Sequence, residues 1–186
     1  MELLRLAAHN SNIMNTYTEY IENVIQLAED AMDHGKYEEA KKLLESGLME
    51  EPGYARLHAA MGDLYWYNLE NLELAERHYH LAIRFDPKFE SVYRELAIMY
   101  QKHNKYQGLK SLMQKAMKVA DLDKSFIFEK LGQAAESEGR YKNAIQYYKQ
   151  ALLESMNNKD AEELKKHIKR NKYKRLKMRW KRAISA

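Results

Sequence analysis

The stretch that decides the fold is Leu131–Leu152, LGQAAESEGRYKNAIQYYKQAL. Two amphipathic segments meet at Ser137-Glu138-Gly139-Arg140, and on each side small or apolar residues recur three and four positions apart. That spacing lines one face of a helix. Gly132, Ala135, Ala144 and Ala151 are small where two helices joined by a tight turn come closest, and Tyr141, Tyr147 and Tyr148 supply bulk beside them. The pattern predicts a helical hairpin.

The hairpin recurs. From Gly132 the marked residues run Gly139, Tyr141, Ala144, Ala151 and Met156, and the same ladder occurs as Ala28, Gly35, Tyr37, Ala40, Gly47 and Pro52. It returns as Ala97, Asn104, Tyr106, Leu109, Ala116 and Asp121. A fourth copy, Gly62, Leu69, Leu72, Ala75, Ala82 and Pro87, requires one extra residue in the turn near Asn68–Asn71. The small residue of the second helix falls at 40, 75, 109 and 144, so the period is 35, 34 and 35. A period near 34 with two helices per unit marks tetratricopeptide arrays, and residues 20–158 resemble that family. The family's usual opening aromatic is replaced by Val24, His58, Tyr93 and Phe128, Leu109 stands for its usual Ala, and only Pro52 and Pro87 close a repeat, so no subfamily is marked. The resemblance implies an all-α, right-handed α-solenoid.

Composition agrees. Seven Gly and two Pro among 186 residues, with 31% charged and 45% hydrophobic, suit a mostly helical soluble chain. No run approaches the roughly 20 apolar residues of a membrane span. The opening MELLRLAAHNSN is too short an apolar run for a secretory signal. With no Cys, disulfides, thiolate metal sites and cysteine nucleophiles are excluded, and a cytoplasmic location is the expectation.

Along the chain, residues 1–19 are expected as an N-terminal helical segment, with a short helix over 2–8 and a break at Asn10-Ser11-Asn12. Thr16 and Glu19 form a capping box that would start the first long helix near Tyr17. Four repeats follow, at about 21–54, 55–89, 90–123 and 125–158, and a basic C-terminal capping or extension helix, N-capped by Asp160, occupies 159–186.

No motif for catalysis, phosphate binding or metal ligation is present, so neither an enzyme nor a cofactor is expected. The seven His read as solvated or packing side chains; His78 and His80 face different ways on a helix and make a poor metal pair. In the resembled family the first helix of each hairpin lines a concave groove for a partner peptide. By register the lining here is Glu22, Ile25, Glu29 and Asp33, then Arg56, Ala59, Asp63, Trp66 and Tyr67, then Ser91, Arg94, Ile98 and Lys102, and last Phe126, Glu129, Gln133 and Glu136. Trp66 and Tyr67 read equally as groove anchors or as packing residues. The Lys/Asn clamp with which some family members hold chaperone C-terminal carboxylates is missing, since Ile25, Glu29, Ala60, Ser91 and Glu95 stand at its positions.

The last helix changes face. Ala161, Leu164 and Ile168 share one side, as a cap requires, whereas Tyr173, Leu176, Trp180 and Ala183 or Ile184 share another, roughly opposite. Residues 159–186 hold twelve Lys or Arg against three acids, while the rest of the chain carries 19 basic and 24 acidic residues. Around the second stripe stand Lys172, Lys174, Arg175, Lys177, Arg179, Lys181 and Arg182. Four readings stay open: a cap lying along the chain's own acidic surface, docking to an acidic protein, an anionic membrane surface, or nucleic acid. Taken together the sequence predicts a non-enzymatic scaffold that binds a protein or peptide in its groove. The alternative is a nucleic-acid- or ribosome-associated factor held by the basic helix.

Overall fold

The computed structural model describes residues 2–119 and 122–184, with residues 2–16 through their backbone alone. The described residues are helices and turns: α1 (Glu2–Asp33), α2 (Tyr37–Glu50), α3 (Ala55–Asp63) continued by a π-helical turn (Leu64–Asn68), α4 (Leu72–Phe85), α5 (Glu90–Lys102), α6 (Tyr106–Ala116), α7 (Lys124–Ser137), α8 (Tyr141–Glu154) and α9 (Asn158–Ile184). They form two compact units, Met1–Val92 and Tyr93–Ala186. In the first, α1 pairs with α2 and α3 with α4; in the second, α7 pairs with α8 and α9 covers α8. Among the described residues no helix is long and apolar enough to cross a membrane.

One turn chemistry joins the helices of three hairpins. Gly35, Asn104 and Gly139 adopt φ of 72°, 55° and 71°. The next residue's N–H then donates to the carbonyl five back: Lys36 to Ala31 at 2.8 Å, Lys105 to Tyr100 at 2.8 Å, Arg140 to Ala135 at 2.9 Å. This closes the exposed carbonyls of the ending helix, and the left-handed position favours Gly or Asn. The second hairpin differs. Glu70 takes the left-handed conformation, with φ 51°, and Asn71 N–H reaches six back to Tyr65 at 2.8 Å. The extra residue expected in the turn sits instead inside the helix, where the π turn places Leu69 N–H on Leu64 O at 3.0 Å.

Packing between paired helices depends on complementary size. A Cβ at Gly62 would lie 2.6 Å from the Tyr79 ring, and one at Gly132 would lie 2.7 Å from the Tyr148 ring. Both rings are fully buried, so each glycine is the socket for a tyrosine. In the other two repeats the same register pairs Ala28 with Leu44 and Ala97 with Met113, all fully buried. In the two glycine sockets small faces large, as close packing demands.

Two expected helix starts are corrected. The break at Asn10-Ser11-Asn12 does not occur; α1 runs through it. Ser and Asn cost only about 0.5–0.7 kcal/mol each in a helix interior relative to Ala, too little to stop propagation. The Thr16 side chain lies outside the described residues, but the helix has no start there. α9 begins before Asp160: the Asn157 side chain accepts from Lys159 N–H at 2.8 Å, leaving Asp160 in the first turn, where its charge suits the helix dipole. α6 ends at Ala116 and a turn follows it.

Candidate partner-binding faces

In the second unit, three-and-four spacing sets Arg94, Ile98 and Gln101 on one side of α5 and Phe126, Lys130 and Gln133 on one side of α7. The side chains meet across the helices. The Arg94 guanidinium lies 4.6 Å from the centre of the Phe126 ring, with Lys130 Nζ at 5.3 Å on the same ring. Lys130 Nζ also donates to Gln101 Oε1 at 2.9 Å, and Gln133 donates to Glu129 at 2.7 Å. Burial lowers the Lys130 ammonium pKa, Glu129 opposes that, and Arg94 adds to it. Cation–π contacts in such half-buried settings are worth about 0.5–2 kcal/mol each. Ile98 stands exposed beside them.

The face continues into a cleft of about 570 Å³ between α7, α8 and α9, lined among others by Gln101, Tyr106, Gln133, Tyr141, Arg170 and Lys174. Its floor is Glu136. Arg170 binds that carboxylate through Nε and Nη2, both at 2.8 Å, Lys174 Nζ donates at 2.8 Å and Asn171 Nδ2 at 2.7 Å. The Tyr148 hydroxyl adds a fourth donor at 3.1 Å. Burial alone would raise the Glu136 pKa, but the bonds from Arg170, Lys174 and Asn171 outweigh it and hold the group at about 2. Burial and the neighbouring carboxylate push the Tyr148 phenol up. The His167 ring stacks on Tyr148 with centroids 4.9 Å apart, and burial, then Arg170, lower its pKa. Glu136 therefore stays ionised and ties α9 to α7.

In the first unit the expected groove residues do not behave alike. Tyr67 and Asp33 are exposed and Glu29 half-buried; burial, then Asp30 and Asp33, raise the Glu29 carboxyl. Asp63 accepts from the Tyr79 hydroxyl at 2.7 Å. Glu22 is bonded by both Tyr54 and Arg56. Trp66, by contrast, is buried, as are Ile25 and Ala59. The register carried forward from Arg56 assumes an unbroken α-helix, and Trp66 lies inside the π turn Leu64–Asn68, where that register no longer holds. In the second unit Arg94, Lys102 and Glu129 stand on or beside the α5 and α7 faces, with Lys102 exposed and Arg94 and Glu129 half-buried.

Sequence reasoning missed two features. The first is the pairing of Arg170 and Lys174, one helical turn apart, with Glu136; the i, i+4 spacing was visible but not its acceptor. The second is a histidine pair. His58 Nε2 lies 3.0 Å from the Pro52 carbonyl and His58 Nδ1 lies 3.2 Å from His78 Nδ1. His58 donates to the Pro52 carbonyl, and in the neutral ring its Nδ1 is then the atom that accepts from His78. Burial, opposed by the Pro52 bond, lowers His58; burial, then His58 and Arg77, bring His78 down to about 4. His58 stacks on Phe85, 5.4 Å between centroids, and these histidines are packing residues. Among the described residues no group of three or more metal-ligating side chains forms a site.

The paired helices, left-handed turns and period agree with the comparisons. The tetratricopeptide-repeat pattern matches residues 25–88 and again 128–162, together just over half of the chain. The chain belongs to the tetratricopeptide-repeat family. No curated protein matches it in sequence. Among solved structures it is similar to pilF of Pseudomonas aeruginosa, with a TM-score of 0.67 and 21% identity over 87% of this chain and 72% of that one. It is similar also to MamA, with a TM-score of 0.62 and 18% identity over 76% of each chain. A third is PilW, described as a widely conserved type IV pilus biogenesis factor, with a TM-score of 0.59 and 16% identity over 82% of this chain and 77% of that one. At such identities the likeness is one of fold: helical hairpins of the tetratricopeptide type.

Proposed function

We propose that this chain is a non-enzymatic scaffold that binds a peptide segment of another protein along the α5, α7 and α9 face of the second unit. The observation that carries the proposal is the continuity of that face. The Arg94–Phe126–Lys130 stack leads past Gln101 and Gln133 into the cleft of Tyr106, Tyr141, Arg170 and Lys174. Aromatic and Arg side chains at half-buried positions are the material of binding hot spots, and the amides offer donors and acceptors to a peptide backbone. The surplus of cations over the carboxylates near it favours a segment with acidic residues. Glu136 is neutralised by its own donors and serves the scaffold rather than the ligand.

The test is selection of binders from a random peptide library on the intact protein, followed by titration against variants. Phe126→Ala and Tyr141→Ala should each weaken an enriched peptide by about 2 kcal/mol or more, with the thermal unfolding transition little changed. Enriched peptides that bind both variants as well as the parent protein would place recognition elsewhere.

A further inference from the structure

α9 has two faces that serve different ends. Leu164 and Ile168 pack into the cluster of Ala135, Ala144, Ile145, Tyr148 and Ala151. Beyond the buried Asn171 the helix continues without a break to Ile184, about 20 Å further at 1.5 Å per residue. Counted at 3.6 residues per turn, Tyr173, Leu176, Trp180 and Ile184 fall on the side opposite Leu164 and Ile168. They are 67%, 54%, 72% and 84% exposed. An unbroken helix pinned by its inner face turns this stripe away from its own unit, so it does not lie as a cap on that unit's surface. Residues 172–184 contain seven Lys or Arg and no acid. On the preceding turns Lys165 and Lys166 are paired with Glu162 and Glu163, and the exposed Lys169 continues the charge from there.

We propose that the distal half of α9 is a docking surface for an anionic lipid membrane, on which it lies flat with Tyr173, Leu176, Trp180 and Ile184 toward the acyl chains. The stripe is a narrow outward edge with cations along both flanks, so a flat negative sheet engages stripe and charge together over its whole length. Tyr and Trp combine an apolar body with a polar tip and suit headgroup depth, and Lys stems can reach back to phosphate from beside them. Nucleic acid would use the charges but not the stripe. A second copy of the helix would set like charges against each other on both flanks.

The chain carries its own reporter. Of its two tryptophans Trp66 is buried and Trp180 is exposed, so a change in the emission of water-exposed indole reads Trp180. The intact protein is titrated with phosphatidylglycerol–phosphatidylcholine vesicles, with pure phosphatidylcholine vesicles, with duplex DNA and with polyglutamate. The expected result is sedimentation and a blue shift of Trp180 emission with the anionic vesicles alone. The pair Leu176→Ser and Ile184→Ser should lower vesicle affinity by roughly ten-fold or more without moving thermal unfolding, because both side chains are exposed. Absence of binding to anionic vesicles, or binding indifferent to the serine pair, would overturn the proposal. Binding to DNA or polyglutamate tighter than to the vesicles would overturn it too, assigning the helix to nucleic acid or to an acidic protein.

Discussion

The α3–α4 hairpin of the first unit and the α7–α8 hairpin of the second are built on the same joint and put it to different use. In each, a glycine receives a tyrosine ring, Tyr79 on Gly62 and Tyr148 on Gly132, and in each the tyrosine hydroxyl reaches a carboxylate on the glycine's own helix. Asp63 stands one residue past its glycine and Glu136 four past, which leaves both on the same side of the helix, one turn apart. The difference lies in what else the carboxylate holds. Glu136 also gathers Arg170, Asn171 and Lys174 from α9. At Glu136 the joint fastens three helices, because that carboxylate also reaches α9.

The comparison is broken most severely at the socket. Gly132→Leu should lower stability by about 1–3 kcal/mol through overpacking, read as a lower urea midpoint, and Gly62→Leu should do the same. Even Gly132→Ala should be costly, because the added Cβ would meet the Tyr148 ring at 2.7 Å. Combining it with Tyr148→Leu, which imitates the Ala28 and Leu44 pair, should return stability to within about 1.5 kcal/mol of the parent. A double variant worse than the single one would show that the four repeats do not share one size rule.

A smaller effect separates the carboxylates. Glu136→Gln should cost about 1–2 kcal/mol, allowing for water around the half-exposed Arg170 and Lys174, and should speed amide exchange in α9. Asp63→Asn, which disturbs the bond from the Tyr79 hydroxyl, should cost about 0.5–1 kcal/mol. Equal costs would mean that the extra donors add nothing.

Acid should distinguish the two hairpins by about 1 kcal/mol in each of two windows. His78 binds a proton near 6.5 when unfolded but only near 4 when folded, so stability falls as pH drops from 6.5 toward 4. Glu136 is protonated near 4.5 when unfolded and near 2 when folded, so its contribution is complete above about pH 4.5 and disappears toward 2. His58 and His167, also lowered, add to the first window. Urea midpoints measured from pH 7 to 2.5 should show His78→Phe reducing the first loss and Glu136→Gln abolishing the second. Variants that leave both slopes intact would refute the assignment.

Which parts of this were legible in the chain follows from the range of the forces involved. The repeat and its turns were visible because they depend on spacing within a few residues: a left-handed position at Gly35, Asn104 and Gly139, small residues three and four apart. The same local reasoning placed the extra residue of the second hairpin in the turn, whereas the helix absorbed it as a π turn and buried Trp66. The groove lining expected from the family resemblance could be copied by register from repeat to repeat only as far as that register held.

By itself, then, the sequence determined four helical hairpins, a basic last helix and the change of face near Asn171, since periodicity and charge are properties of consecutive residues. Only the tertiary structure decided which carboxylate became the clasp, for Glu136 and Arg170 lie 34 positions apart and no local pattern pairs them. It decided likewise that His58 and His78 would hydrogen-bond to each other, because that needs two helices brought to within hydrogen-bond distance. And it decided that the second stripe of α9 would face outward, because the clasp and the Leu164–Ile168 packing hold one side of an unbroken helix and leave the other open.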